Sequence, residues 1–341
     1  MKKPNIISNC AFSYFHSQGN TRGGGKLVYT KENYSFSQKK ERLMNIAPIA
    51  LFVYNRPWHT RQTIEALQKN ELASSSKLFI FSDGPKKEDD LEKVLEVRDY
   101  IKSVQGFQDV QVIERGANWG LADSIIDGVT QIINQYSRII VIEDDLVTSP
   151  HFLTFMNNAL EFYRDETKVW HISGWNYPID SEGLPDTFLW RVMNCWGWAT
   201  WSDRWQFYRR APEEICEKFP KDKIRQFNLY GAHDFWSQVM TNVNGRNKTW
   251  AIFWYATIFL NAGLCLNPTK SLVQNIGLDG SGTNSGKPAF FQTTLSGHNP
   301  NIVFQKLNEE ELAVNRIMKY FDLQKSSFLR RCLRKIKRML A

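Results

Sequence analysis

No stretch of this 341-residue sequence holds the ~20 apolar residues needed to cross a bilayer. The nearest approach, Trp250 to Leu266, is interrupted by Thr257, Asn261 and Gly263, and it reads better as a buried helix followed by a strand. Cysteine is scarce. Cys10, Cys195, Cys216, Cys265 and Cys332 are odd in number, scattered and without any CxxC, which argues against a zinc site and for reduced thiols in a cytosolic setting. A signal peptide is missing too, since the apolar residues of MKKPNIISNCAF stop after a few positions. Neither GxxxxGK[ST] nor GxGxxG occurs at a strand-to-helix turn, and the TRGGGK near residue 21 follows no strand. ATP-binding and dinucleotide-binding readings therefore lose their signature.

Acid is absent from the C-terminal end and nearly so from the N-terminal one. Residues 325–341 carry seven Lys/Arg and no acid, and residues 1–43 carry eight Lys/Arg against two Glu. Removing both ends turns the formal charge of +8 into a slightly acidic body. The basic balance thus belongs to the termini, and it is no argument for nucleic acid as a partner.

What the sequence has is a regular alternation. Apolar strands are expected at 48–54, 77–83, 110–114 and 138–143. Between them lie helices at 58–70, 88–104 and 121–136, the last two with apolar residues at helical spacing. Ser149 as N-cap and Pro150 at the first helical position start a fourth helix, roughly 150–164. Three β-α-β crossovers in a row imply an α/β fold whose parallel sheet is covered on both faces. Beyond 165 the pattern loosens, with short strands at 168–174, 187–193, 263–267 and 271–275 and helical stretches near 201–209 and 234–242. These are expected to extend the sheet as a mixed half. The expected organisation is a disordered extension over 1–43, a domain over 44–300 opening at Met44, a connecting segment over 301–324 and a tail helix over 325–341.

In an open parallel sheet, ligands bind beyond the carboxyl ends of the strands. Those ends read NRP (55–57), SDGP (82–85), ERGANWG (114–120) and EDD (143–145). They bring forward Asn55, Arg56, Asp83, Arg115, Asn118, Glu143, Asp144 and Asp145 as candidate binding residues. The triplet Glu143-Asp144-Asp145 ends a strand that reads as buried, where charge is costly unless paired or bound to a cation. Hard oxygen ligands in small number suit Mg²⁺ or Mn²⁺ completed by substrate phosphates. Acids rather than glycines at this position point to a metal-bridged nucleotide-sugar.

ALFVYNRPWHTRQTIEAL, SDGP, NWGL and VIEDDLVTSPHFLTFMN, in this order, resemble the metal-dependent glycosyltransferases of the GT-A fold, in particular the N-acetylglucosaminyltransferases of N-glycan branching and bacterial family-two-type sugar transferases. The likeness continues through VWHISGWN (169–176), CWGWATW (195–201) and NPTKSLVQNIGLDGSGTN (267–284) and covers roughly 46–300. It implies a mixed sheet with a Rossmann-like nucleotide-binding half, and inverting transfer from a nucleoside-diphosphate sugar, a UDP-sugar favoured, to a surface-glycan or lipid-linked glycan acceptor. It further implies that Asp145 binds Mn²⁺ or Mg²⁺, that Asp144 meets the ribose or a metal-bound water with Glu143 in support, and that Arg56 and Asp83 contact the nucleoside. The chain departs from the family pattern at Lys248, where an acidic residue is usual, and at Asn284, where a histidine is usual. These departures keep open a nucleotide-sugar or glycan binding protein with weakened catalysis.

Asp234 and Asp279 are the acids in the second half that suit a catalytic base, against a helix cap for Asp234 and a turn for Asp279. His171, His233 and His298 have ligand capacity, although a lone histidine is more often structural. Seven of the twelve tryptophans fall between 170 and 205 and should be mostly core, with Trp196 or Trp198 placed to stack on an acceptor sugar. In SSFLRRCLRKIKRML, apolar residues recur at helical spacing opposite six Lys/Arg. That pattern suits an anionic membrane surface and a peripheral, cytoplasmic-face location.

Overall fold

The computed structural model describes residues 46–280, 291–303 and 306–339, with side chains as far as residue 325. The expected extension over 1–43 and Asn284 lie outside the described residues. The unit that holds the sheet begins at Ile46.

The first half alternates as its sequence pattern requires. Strand β1 (Ile49–Val53) leads through helix α1 (Pro57–Gln68) to β2 (Lys77–Ser82), α2 (Leu91–Lys102), β3 (Asp109–Glu114), α3 (Leu121–Tyr136) and β4 (Arg138–Glu143). All five residues of β1 are buried, and so are Ile139 to Ile142 of β4, the signature of strands covered on both faces. After β4 comes a short strand, β5 (Leu146–Thr148), and then α4 (Phe152–Phe162). That helix starts two residues later than expected. The Ser149 hydroxyl accepts from the His151 N–H and donates to the Ser296 carbonyl instead of capping from the helix end. Helix α4 buries Phe152, Leu153, Phe155, Met156 and Leu160, side chains worth about 1.5–3 kcal/mol each when fully removed from water.

The second half is strand β6 (Val169–Ser173), β7 (Thr187–Trp190), β8 (Trp198–Trp201) and helices α5 (Ser202–Trp205), α6 (Pro212–Lys218), α7 (Lys221–Phe227), α8 (Trp236–Val243) and α9 (Ala251–Leu260). Strands β9 (Leu264–Pro268) and β10 (Val273–Asn275) follow, and then α10 (Glu311–Met339). Helix α9 followed by β9 is the helix-then-strand expected across Trp250–Leu266. Among the described residues no helix is long and apolar enough to cross a membrane.

The main sheet has the order β3-β2-β1-β4-β8-β6-β9-β7. Strands β3, β2, β1 and β4 are parallel, β8 runs antiparallel between β4 and β6, and β7 closes the far edge antiparallel to β9. The mixed α/β sheet with a parallel half is therefore as expected, and β8 is the strand that joins the two halves. A second, two-stranded sheet pairs β5 with β10 antiparallel.

Helix α10 differs from expectation. It begins inside the stretch assigned to a connector and runs unbroken for 29 residues. Ala313, Ile317 and Phe321, four residues apart, bury one face against the core. Arg316 donates to the Asp180 and Glu182 carbonyls, and the segment before the helix is held by an Arg191–Glu309 ion pair.

The tryptophans assemble around β8. Trp198 is fully buried and stacks on Trp250 at 5.1 Å, with the His171 ring 5.5 Å away on the other side. His171 accepts from the Trp254 indole N–H at Nδ1 and donates from Nε2 to the Asn194 carbonyl. Burial pushes its pKa down to about 3. An unfolded histidine titrates near ~6.5, so below that pH the unfolded chain takes up a proton that the folded chain refuses. This residue's contribution to stability is thus complete above pH ~6.5 and is lost as pH falls toward about 3, at no more than ~1.4 kcal/mol per pH unit. Urea denaturation of the native chain and of His171→Gln between pH 7 and pH 4 checks this. The stability difference between them should shrink as pH falls, whereas a constant difference would mean that His171 does not titrate in the unfolding reaction.

Candidate active site

The winding of the sheet decides where a ligand fits. From β1 the chain moves outward to β2 and β3, then returns across β1 to place β4 on its other side. The crevice at the carboxyl ends of β1 and β4 is therefore the switch point of the parallel half, the expected binding place in such sheets. Arg56 lies three residues past the end of β1, and Glu143, Asp144 and Asp145 lie at and after the end of β4.

The structure brings these four residues together. Arg56 Nη1 is 2.8 Å from Asp145 Oδ2 and 3.6 Å from Asp144 Oδ1. The turn itself is pinned from α1, where Thr63 Oγ1 donates to the Asp144 carbonyl at 2.8 Å and accepts from the Leu146 N–H at 3.1 Å. Burial, and then repulsion from Asp145 and Asp144, pushes the Glu143 carboxyl up to about 8. Burial and the Asp145 charge likewise raise Asp144, with Arg56 opposing them. From above, the backbone after β10 closes on the pair, as the Ile276 N–H donates to the Asp145 carbonyl. A Cβ on Gly277 would lie 2.0 Å from Asp145 Oδ2 and 2.7 Å from Arg56 Nη2, so a larger residue would have to displace one or both of these side chains.

The donor set fits a hard divalent cation. Burial, and then the neighbouring aspartate charges, raise Glu143 and Asp144 at the crevice mouth, a condition that a bound cation relieves. Among the described residues no group of three or more His, Cys, Asp or Glu is arranged to hold a metal ion, so a Mg²⁺ or Mn²⁺ here would take one or two carboxylates and complete its shell with phosphate and water.

The other polar strand ends are used differently. Asp83 accepts four N–H groups, from Gly84 and Trp119 on Oδ1 and from Gly120 and Asn118 on Oδ2, at 2.8–3.1 Å. Asn118 also donates to the Gly84 carbonyl, and a Cβ on Gly84 would meet the Ala117 carbonyl carbon at 2.5 Å. Residues 83–84 and 117–120 thus clasp the ends of β2 and β3 to the start of α3. The Asp83 carboxylate thus spends its acceptor positions within the protein, holding the strand ends. Arg115 pairs with Asp127 and lies 3.8 Å under the ring of Trp119. Asn55 donates to Asp90, which also accepts from the Tyr54 hydroxyl.

Of the two acids proposed for the second half, the structure brings one to the crevice. His59, on the first turn of α1 after Arg56, is 3.0 Å from Asp279 Oδ2 through Nε2. Asp279 lies two residues past Gly277 and helps to line a cavity of about 480 Å³. Asp234 is exposed and accepts from the Ser237 N–H and the Asn228 side chain at the start of α8, the capping role. Lys248, where an acid was expected, pairs with Asp123 in the first turn of α3. Trp198 offers no face to a sugar, because it is fully buried, and this expectation is corrected. Trp196 is half-buried and packs edge-on against Trp175 and Phe291. Among the histidines considered as ligands, His171 is buried in the core and His233 stacks on Phe321, while His298 is exposed.

The sequence model of the GNT-I family matches residues 18–206, more than half of the chain. The chain belongs to the GNT-I family. No curated protein sequence gives a match. Among solved structures, S. aureus TarS is 11% identical over 40% of this chain and 23% of its own, with a TM-score of 0.29. The structure of TarS 1-349 is 11% identical over 66% of this chain and 59% of its own, at 0.37. The mannosyltransferase PcManGT from Pyrobaculum calidifontis, in complex with GDP-Man and Mn²⁺, is 9% identical over 64% of this chain and 69% of its own, at 0.34. The chain spans less than two thirds of either TarS chain, and likenesses this low add nothing to the fold described above.

In this GNT-I family member, sequence reading missed His59, Thr63 and Gly277. His59 and Thr63 had a signal, since both lie on the helix that follows a site strand, three and seven residues past Arg56. Gly277 had none, because its partner Asp145 is far away in sequence. The clasp around Asp83 makes a separate forecast. Asp83→Asn turns an amide N–H₂ toward backbone donors and should cost about 1–3 kcal/mol in urea denaturation. An unchanged midpoint would show that the clasp does not hold the two strand ends.

Proposed function

We propose that this chain moves a sugar from a nucleoside-diphosphate donor, a UDP-sugar by preference, to a hydroxyl of a surface glycan or lipid-linked glycan, with inversion and with Mn²⁺ or Mg²⁺ as cofactor. The observation that carries the reading is the carboxylate group at the end of β4, mutually repelling and set at the switch point of the sheet beside Arg56. Asp145 would hold the ion, with Asp144 beside it and Glu143 in support. When bound, the ion supplies positive charge to the leaving diphosphate without proton transfer.

The chain's own residues do the rest. Arg56 carries the fixed positive charge at the crevice and is close enough to both aspartates to orient them. Thr63 fixes the backbone of the turn, so that Asp144 and Asp145 keep their places when charge arrives. The segment after β10 rests on Asp145 through Gly277 at the mouth of the crevice.

Thermal shift against a panel of UDP- and GDP-sugars, with and without Mn²⁺, tests the donor half. A metal-dependent shift for at least one donor is expected, and Asp145→Ala should abolish it and lower donor turnover at least ~100-fold. Retention of the metal-dependent shift in that variant would move the site elsewhere.

The reading includes an inner-leaflet location, supported by the seven Lys/Arg and the apolar spacing of residues 325–341 in a helix that continues to Met339. Co-sedimentation with phosphatidylserine vesicles should be lost on removal of residues 325–341, while hydrolysis of soluble donor is kept. Vesicle binding that survives the truncation would remove the tail from this role.

A further inference from the structure

Helix α10 has two halves in different surroundings. The first, Glu311 to Lys325, is docked: Ala313, Ile317 and Phe321 are buried, and Lys325 Nζ donates to the Gly231 carbonyl. The second, on to Met339, carries the basic amphipathic sequence assigned above to an anionic lipid surface. No glycine or proline interrupts residues 311–339, so the helix is a single rod about 43 Å long at ~1.5 Å per residue. Whatever holds one half therefore bears on the position of the other.

The docked half rests on the loop that leaves β6. Phe321 meets the Tyr177 ring edge-on at 5.0 Å, Tyr177 meets Trp175 at 4.7 Å, and Trp175 meets Trp196 at 4.7 Å. The backbone of this loop is bonded to both neighbours of the acidic turn. The Gly174 N–H donates to the carbonyl of Gly197, which leads into β8 beside the end of β4. The Gly174 carbonyl accepts from the N–H of Leu272, which leads into β10 and so to Gly277 on Asp145. Asn176 adds two bonds on the β10 side, from its N–H to Ser271 Oγ and from Nδ2 to the Thr269 carbonyl. A Cβ on Gly174 would lie 2.6 Å from the Phe152 ring, so the junction is close-packed and passes a displacement on.

The far end of the docked half holds a strained turn. Leu229, Tyr230 and Gly231 have φ of 48°, 55° and 97°, a left-handed run in which only the last residue is glycine. Such a run persists where its surroundings hold it, and Lys325 is one of the groups that do. Release of α10 lets the turn relax, which gives the helix two arrangements, docked and loosened.

We propose that α10 couples a lipid surface to the crevice: an anionic membrane that takes up residues 326–341 anchors the rod, favours its docked arrangement, and so tightens the binding of a nucleoside diphosphate at the acidic turn. The proposal rests on the donor and membrane readings above. Apparent affinity for nucleotide falls with the fraction of chains in the loosened arrangement, and anchoring removes that loss. The coupling is reciprocal, since the factor by which lipid raises the affinity for nucleotide equals the factor by which nucleotide raises the affinity for lipid. Ser326 and Ser327, weaker helix formers than alanine, sit at the joint between the halves and set how stiffly it transmits.

Two measurements on the full chain test this, with UDP plus Mn²⁺ as the nucleotide probe and phosphatidylserine vesicles, against phosphatidylcholine, as the surface. In the first, isothermal titration should give a Kd for UDP about fivefold or more lower on phosphatidylserine, and UDP should raise vesicle affinity by the same factor. Ser326→Gly combined with Ser327→Gly should abolish both effects while vesicle affinity alone stays within about threefold of native. Ser326→Ala combined with Ser327→Ala should couple at least as strongly as the native chain. Full coupling in the glycine pair, or vesicle binding that leaves the Kd for UDP unchanged, would overturn the proposal and leave the membrane role of the tail standing.

The second measurement needs no nucleotide. Hydrogen exchange read by mass spectrometry should slow about fivefold or more over residues 174–177 and 195–198 on phosphatidylserine, with no slowing in the glycine pair. Slowing in a chain that binds no UDP in either state would sink the donor reading and retain the coupling of lipid to the loop. Unchanged exchange would overturn the coupling whatever UDP does, and a chain that fails to bind phosphatidylserine would remove the membrane reading and this proposal with it.

Discussion

Three neighbouring carboxylates at the end of a buried strand are the constraint around which the surrounding structure is arranged. Burial, and then repulsion from neighbouring aspartates, holds Glu143 and Asp144 well above ordinary acids. Such a turn would splay open or become fully protonated if left alone. It is held instead by contacts from three directions: Arg56 after β1, Thr63 on α1, and the backbone that follows β10. These come from widely separated parts of the chain. The two-stranded β5–β10 sheet is what brings the last of them into place.

The crevice has two kinds of polar strand end, and they obey different physics. The ends of β1 and β4 carry unlike charges that face one another across the crevice. The end of β2 instead spends its carboxylate on backbone N–H groups of the neighbouring loop. A satisfied clasp of this type is rigid, and it fixes where α3 begins. Arg115, stacked beneath Trp119 beside the clasp, makes the same loop stiffer and presents a half-exposed aromatic ring at the crevice rim.

Much of this was legible in the sequence because it is local. Runs such as RIIVIE and the 3.6-residue spacing of α3 need no partner to be recognised, so the parallel half and the place of EDD were readable, as was a buried helix where α9 lies. What depends on partners was not. Strand β8 is four residues of tryptophan, alanine and threonine whose strand character comes from pairing with β4 and β6. Trp196 and Trp198 are two residues apart and read alike, yet Trp198 opens β8 in the core, whereas Trp196 precedes the strand, across Gly197 at φ 64°, and lies at the core's margin. Asp83 was recognised as a polar strand end, but sequence does not tell whether a carboxylate serves a ligand or four amides. Asp279 gained its place from His59, a contact across 220 residues that no local pattern announces.

The pairing of β5 with β10 also has a meaning in time. A chain synthesised from its N-terminus completes β1 to β5, and with them the acidic turn, more than a hundred residues before β10 emerges. During that interval the parallel half can close around β4, with Arg56 and Thr63 already present to hold the turn. Its covering segment arrives only afterwards. The acidic crevice is thus assembled early and met by β10 late, and its contacts of highest sequence separation are among the last that folding can make.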